Sequence, residues 1–297
     1  MAPDAERIVH RSGTLAPARD KLRAMRVAVV GHVEWCEFAE VPHVPQPGEI
    51  VHAAETFEEP AGGGAVAAVQ LRKLAGEATL FTAFGDDETG HRTDAELREH
   101  GVRVEGRFHP EPQRRAFVHL DSDGERTITV LGPRLGPSGD DDLPWDLLDE
   151  TDAVYVTAGD IEAVRQARRA RTLVATPRGL GTLAEAHLEL DALVSSGRDP
   201  GERYSPGDLD PAPKVVVRTL GAAGGEWETA SGERGRWGPA KLPGPVRDSY
   251  GAGDSFAAGL TYGLGAGWEI AKAVELAARC GAACLTGRGP YGAQLEL

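Results

Sequence analysis

Three cysteines are all that this chain of 297 residues contains. Cys36, Cys280 and Cys284 form no C-x-x-C pair, and no histidine stands at zinc-ligand spacing from them. A disulfide framework and a Cys/His zinc site are excluded, Cys280 and Cys284 read as small buried thiols, and the odd, sparse count suits a reducing cytoplasm. No apolar run approaches the roughly 20 residues that span a bilayer, so no membrane partner is expected. The start of the chain lacks an apolar h-region, and residues 1–24 read as a disordered or extended arm rather than a signal peptide. Basic residues are outnumbered, 32 Lys and Arg against 46 Asp and Glu, for a net charge of −14. With no Lys/Arg-rich stripe to offset this, a nucleic-acid partner is not expected, and any phosphate site has to be local. The nine histidines are scattered without an H-E-x-x-H, and none is assigned to catalysis. Also missing are G-x-x-x-x-G-K-[ST] and, after the strand-like Val27–Val30, G-x-G-x-x-G: the chain continues Gly31-His32-Val33-Glu34. A P-loop mechanism and a dinucleotide-binding dehydrogenase are both disfavoured.

What is present is an alternation of strand-like and helix-like segments, with 41% hydrophobic residues to build a core. Strands are predicted at Val27–Val30, Thr79–Ala83, Ala153–Thr157, Thr172–Ala175, Ala192–Ser195 and Lys214–Arg218. Helices are predicted at Val66–Ala75, His91–His100, Ile161–Ala170, Asp254–Leu264 and Trp268–Thr286. This order predicts an α/β fold with a parallel sheet covered on both faces. Val274, Ala277, Ala278, Gly281 and Leu285 recur at helical spacing and are read as core. Two stretches break the alternation as added strands: Glu49–Phe57, and a hairpin of 115–120 and 126–130 around Asp123-Gly124. A second hairpin is predicted at Glu226–Thr229 and Arg234–Trp237.

The densest chemistry lies in Asp248-Ser249-Tyr250-Gly251-Ala252-Gly253-Asp254-Ser255-Phe256. Gly251, Ala252 and Gly253 carry almost no side chain, so their amides can close round an oxyanion at the N-terminus of the following helix, where the dipole favours negative charge. Asp254 has two readings: an ordinary N-cap, or a general base beside a phosphate.

D-x-x-G-A-G-D-S-F-x-x-G, here Asp248 to Gly259, resembles the second signature of the ribokinase-like (PfkB) family of carbohydrate and nucleoside kinases. Further family motifs follow in order. They are Pro47-Gly48-Glu49, the run Gly62-Gly63-Gly64-Ala65, the G-x-D-x-x-G-like 85–90, and Thr219-Leu220-Gly221-Ala222-Ala223-Gly224, similar to the T-x-G-x-x-G nucleotide loop. The resemblance covers about Val27 to Ala293. It implies a three-layer α/β/α ribokinase-like domain over 25–297, with a mostly parallel central sheet. It also implies a small β-sheet lid from about 33–61 and 106–131 over the sugar, which would allow a homodimer through the lid strands. The implied reaction is ATP-dependent phosphorylation of a hydroxymethyl group of a sugar or sugar-like molecule, with Mg²⁺ and K⁺. Asp254 matches the base; Gly251, Ala252 and Gly253 the anion hole; Thr219, Gly221 and Gly224 the nucleotide loop. Asp248 matches a position that helps bind the monovalent cation, with backbone carbonyls near Cys284, Gly287 and Gly289.

The chain departs from the pattern at three places. Where relatives carry N-x-x-E, the Glu organising magnesium through water, the stretch reads Ser196-Gly197-Arg198-Asp199, which leaves Asp199 as substitute and Arg198 facing solvent. The sugar-binding N-x-D becomes Glu34-Trp35-Cys36, with Cys36 in place of the Asp. The G-G-K-G-A-N run becomes Ala61-Gly62-Gly63-Gly64-Ala65-Val66, with Val66 where an Asn would reach the substrate. These changes predict an acceptor other than ribose, less hydroxylated or partly apolar, lined by Glu34 and Trp35. Two alternatives stay open: a nucleoside kinase of the same fold, and a non-catalytic sugar- or nucleotide-binding regulatory protein.

Overall fold

The computed structural model describes residues 25–297; the arm expected at 1–24 lies outside them. The body is a nine-stranded sheet. Its first strands are β1 (Val27–Val30), β4 (Thr79–Gly85), β5 (Arg103–His109), β8 (Ala153–Val156) and β9 (Thr172–Ala175). It continues through β10 (Ala192–Ser196), β11 (Val215–Thr219), β12 (Gly225–Thr229) and β13 (Arg234–Trp237), in the order β13-β12-β11-β10-β9-β8-β1-β4-β5. All neighbours from β11 to β5 pair in parallel; the β12–β13 hairpin adds an antiparallel edge. The inner strands read as unbroken apolar runs because both faces are covered. Along β1, Val27 and Val29 enter one core while Ala28 and Val30 enter the other; Leu193 of β10 likewise points away from Ala192 and Val194.

One core packs against helices α1 (Gly63–Ala75), α2 (Glu88–Glu99), α5 (Ala252–Gly265) and α6 (Ile270–Cys284). The other packs against α3 (Ile161–Ala167), α4 (Leu180–Ala186) and Trp145, whose ring stacks on Phe81. Val274, Ala277 and Gly281 are buried in α6, and all three cysteines are buried and free. Helices α5 and α6 touch through small residues: a methyl on Gly259 would lie 2.8 Å from Ala277 Cα and 2.8 Å from Cys280 Sγ. Gly→Ala inside a helix ordinarily stabilises by roughly 0.5–1 kcal/mol. Here overpacking of roughly 1–3 kcal/mol outweighs it. Gly259→Ala is therefore expected to lower the urea midpoint, and an unchanged or raised midpoint would contradict this packing.

A second, four-stranded sheet forms a lid, in the order β3-β2-β6-β7. It consists of β2 (Glu34–Glu40), β3 (Glu55–Ala61), β6 (Arg115–Leu120) and β7 (Arg126–Leu131). The predicted strand at Glu49–Phe57 is corrected to Glu55–Ala61, since only from Glu55 does the chain pair with β2, after the Pro45–Gly48 turn region. Residues 103–109, partly assigned to the lid above, pair with β4 as the edge of the main sheet; the charges on Arg103, Glu105 and Arg107 suit an open edge. The short, glycine-containing α4 was not foreseen. The lid is fastened at its root, where Phe38 stacks on Phe57 and meets Tyr250 edge-on. It is fastened again at its far end, where Ser249 N–H donates to Gly124 O in the β6–β7 turn (3.0 Å) and Arg126 donates to Ser249 O (3.0 Å). Among the described residues no helix is long and apolar enough to cross a membrane.

Candidate active site

The carboxyl ends of the parallel strands β1, β8, β9 and β10 face one region, the side of the sheet on which ligands of open α/β folds bind. Two helices enter it N-terminus first. Helix α5 begins at Gly251, its N-cap, at φ 77°, with no side-chain capping bond; Ser255 N–H returns to Gly251 O (2.9 Å). The amides of Ala252, Gly253 and Asp254 are thus first-turn donors without an intrahelical acceptor, and a methyl on Gly253 would face open space. Asp254 is the third helical residue, so the N-cap reading is ruled out. Helix α1 starts at Gly63, and a methyl there would lie 2.9 Å from Asp254 Oδ1; one on Gly64 would lie 2.6 Å from His32 O. The glycine run is therefore space for the carboxylate and for the end of β1.

The residue surface of Asp254 is only partly covered, but its carboxyl group is hemmed in by protein. Burial pushes it up to about 6, Glu202 adds to the rise, Arg126 and Arg178 oppose it, and Glu34 raises it slightly further. Such a group is mostly ionised at neutral pH and basic enough to accept a hydroxyl proton.

The floor beyond Asp254 is polar and charged. Glu34 pairs with Arg114 Nε at 2.6 Å and faces His32 Nε2 at 3.6 Å. Burial raises Glu34, opposed by Arg114, Arg134 and Arg178. Burial, then the same arginines, push His32 down to about 3 and keep its imidazole neutral. His32 Nδ1 and Thr157 Oγ1 are buried without a hydrogen-bond partner in the protein.

Three expected substrate contacts are corrected. Cys36 is fully buried, 3.4 Å from the Tyr250 hydroxyl, which also accepts from Gly62 N–H (3.2 Å). Val66 is fully buried beneath the cradle, where a methyl on Gly251 would meet its Cγ1 at 2.9 Å. Trp35 lies under the Arg92 guanidinium, bonds Glu58 and lines a separate hollow with Glu37 and Arg115, strand alternation having turned it away from Glu34. The partly apolar acceptor surface expected from Trp35 is therefore absent.

On the other flank, Thr219 ends β11, and Leu220 N–H to Gly224 O (2.8 Å) and Gly224 N–H to Gly221 O (3.0 Å) close a tight turn. Gly221 and Gly224 both have positive φ. Arg198 is exposed, as expected, but its guanidinium also lies on Gly221, 2.7 Å from where a β-carbon would be. Asp199 caps Gly201 N–H (2.8 Å) and pairs with Arg178. Glu202, three residues on, is the carboxylate that acts most strongly on Asp254. It pairs with Arg178 Nε (2.9 Å) and is itself raised by burial. Asp199-Pro200-Gly201-Glu202 carries the x-x-E spacing three residues later, the signal that could have found it.

Asp248 is buried behind the cradle, accepting from Tyr250 N–H (2.7 Å) and Gly289 N–H (3.0 Å). It thus meets the C-terminal loop, where Gly287 N–H donates to Cys284 O (3.1 Å). Glu59 of β3 lies against Gly289; its Oε1 is buried and unpartnered, and burial and Asp248 push it up to about 7. Among the described residues no three His, Cys, Asp or Glu side chains form a metal cluster.

The nine-stranded body, the four-stranded lid and the N-terminus of α5 make up a ribokinase-like fold. This chain belongs to the pfkB family of carbohydrate kinases, whose family model, "pfkB family carbohydrate kinase", matches residues 24–176 and 208–296. The unmatched 177–207 hold Arg178, Asp199 and Glu202. Ribokinase of Dictyostelium discoideum is 28% identical over 108 residues, 36% of this chain and 34% of that protein. Fructokinase-2 of Oryza sativa subsp. japonica is 42% identical over 69 residues, 23% of this chain and 20% of that protein. The matches thus span about a third and about a fifth of these relatives. The structure of Arabidopsis thaliana ribokinase complexed with ribose and ATP superposes with a TM-score of 0.71 at 20% identity, covering 92% of this chain and 96% of that one.

Proposed function

We propose that the chain transfers the γ-phosphoryl group of ATP to a hydroxyl group of a sugar or sugar-like molecule. The observation that carries this reading is Asp254, held near pKa 6 beside amides that no protein group caps. Asp254 takes the hydroxyl proton, and the amides of Gly251, Ala252 and Gly253 hold the moving phosphoryl oxygens. Thr219, Gly221 and Gly224 form the bed for the nucleotide, with Arg198 at its rim. Glu34, His32, Thr157 and the glycines 62–64 shape the acceptor end, where neutral His32 can both donate and accept. Mg²⁺ would supply charge neutralisation at the transferring phosphate. Its organising carboxylate is assigned to Glu202 in preference to Asp199, because Glu202 is the carboxylate whose charge acts most strongly on Asp254. A potassium ion fits beside Asp248 and Gly289, because a cation there would satisfy the orphaned Glu59 oxygen. The exposed edge β7, with Ile128, Val130 and Leu131 at the surface, is proposed as the homodimer contact; sedimentation would show a monomer if it is not.

The test is ADP release with Mg²⁺ and K⁺ over sugars, sugar derivatives and nucleosides. Acceptor-dependent release supports the reading; ATP binding without turnover on any acceptor favours a non-catalytic binding protein. Glu202→Gln is expected to lower activity roughly 10–100-fold and raise the Mg²⁺ requirement, as loss of an outer-shell partner does. Asp199→Asn should change both much less, and the reverse order would return the role to Asp199.

A further inference from the structure

The acceptor end of the cleft holds more positive charge than its carboxylate can balance. Glu34 is faced by Arg114, Arg134 and Arg178. Arg178 is engaged by Asp199 and Glu202, which leaves two guanidinium groups to one carboxylate. Arg114 is nearly buried, with 11% of its side chain exposed, and its Nε lies 2.6 Å from Glu34 Oε1 without a hydrogen bond of good geometry. Arg134, three residues past the end of β7, is exposed and has no carboxylate within ion-pairing distance among the described residues, and its charge acts on Glu34, His32 and Arg114. Arg126, on lid strand β7, bonds only Ser249 among the described residues, and its charge acts on Asp254. A local cationic excess is not a by-product of composition in a chain with 14 more acidic than basic residues. Like charges partly removed from water cost free energy in the free protein, and an anionic ligand reverses the sign of that interaction.

We infer that the acceptor carries an anionic group, a phosphate or a carboxylate, in addition to the hydroxyl that is phosphorylated, and that Arg114 and Arg134 at the root of the lid receive it. Guanidinium forks match both groups in geometry, whereas a neutral sugar hydroxyl requires only one donor or acceptor at a time. The inference rests on the kinase reading. In the step itself, the bond between the γ-phosphorus and the ADP oxygen breaks and one to the acceptor oxygen forms. The hydroxyl proton passes to the Asp254 carboxylate, and the product carries its original anionic group together with the new phosphate. The neutral imidazole of His32 and the Thr157 hydroxyl face the hydroxyl-bearing part of the molecule. The anionic end also lies where the lid strands leave the body, so its binding adds contacts to the lid root.

The test compares pentoses and hexoses with their monophosphates and their sugar acids. It uses calorimetry in the presence of a non-hydrolysable ATP analogue, and turnover with ATP. At least one monophosphate or sugar acid should bind more tightly than its neutral parent by roughly 10–100-fold, the scale of a charged hydrogen-bonded contact. Arg134→Gln, at an exposed position, should erase that preference, read as a rise in the KM and Kd of the anionic acceptor toward those of its neutral parent, with the binding of the neutral parent as the control. The phosphate and carboxylate arms identify which anion the site takes. Neutral sugars binding equally well, an unchanged preference in Arg134→Gln, or no anionic sugar binding at all would each overturn the inference. Turnover of a neutral sugar that is lost in Asp254→Asn would meanwhile leave the kinase reading standing. Absence of turnover with every acceptor, despite tight anionic binding, would remove that reading and not this one.

Discussion

Asp254→Asn is expected to lower kcat by about 10²–10⁴ while ATP binding and the thermal midpoint stay near native values. Asparagine keeps the shape beside Gly63 but cannot take a proton. Because Asp254 makes no capping bond, its replacement removes no support from α5. The same group sets the pH response. An acid raised to about 6 is protonated below that value, so kcat/KM should fall roughly tenfold per pH unit below 6 and level off above it. Glu202 holds the Asp254 proton on, so Glu202→Gln should move this acid limb to lower pH. A flat profile between pH 5 and 7, or an Asp254→Asn variant of near-native rate, would reject Asp254 as the base.

Gly251→Val should abolish most of the remaining catalysis by a different route. At φ 77° an L-residue costs about 1–2 kcal/mol, more when β-branched. Its β-carbon would also lie 2.9 Å from Val66 Cγ1 and 3.1 Å from Pro290 Cβ. Relief requires the start of α5 to shift, which takes the amides of Ala252 and Gly253 off the phosphoryl oxygens. Losing one well-placed oxyanion donor costs about 10²–10³ in kcat. Steady-state kinetics alongside thermal melts would separate this from unfolding. A variant that melts several degrees lower yet turns over at the native rate would show that the cradle is not used.

The body of the fold was readable because its strands are apolar runs of fixed length separated by helical periods. Thr172–Ala175 was located to the residue, and its neighbours to within one or two. What escaped was what local pattern does not encode. Arg103–His109 has the charged alternation of a solvent-facing strand, and only its pairing with β4 assigns it to the main sheet. At the site, Gly251–Asp254 could be read because a glycine turn and a carboxylate at fixed spacing leave a compact trace. His32, Arg114, Arg134, Arg178 and Glu202 come from the loops and short 3-10 turns that flank separate strands, each an ordinary charged or polar residue in its own segment, and only the fold brings them together. Cys36 and Val66 stand at motif positions that suggested substrate contact, but both turn into packing, which motif alignment cannot distinguish.

The backbone bond between Ser249 and Gly124 joins the tip of the lid to the loop that leads, two residues later, into Gly251. Under the kinase reading proposed above, a lid that swung away from the body would have to break this bond or pull on the segment that carries the phosphoryl cradle. On that reading the shared strut would hold down the wasteful splitting of ATP by water, since an entrance wide enough for solvent would also draw the donors out of line.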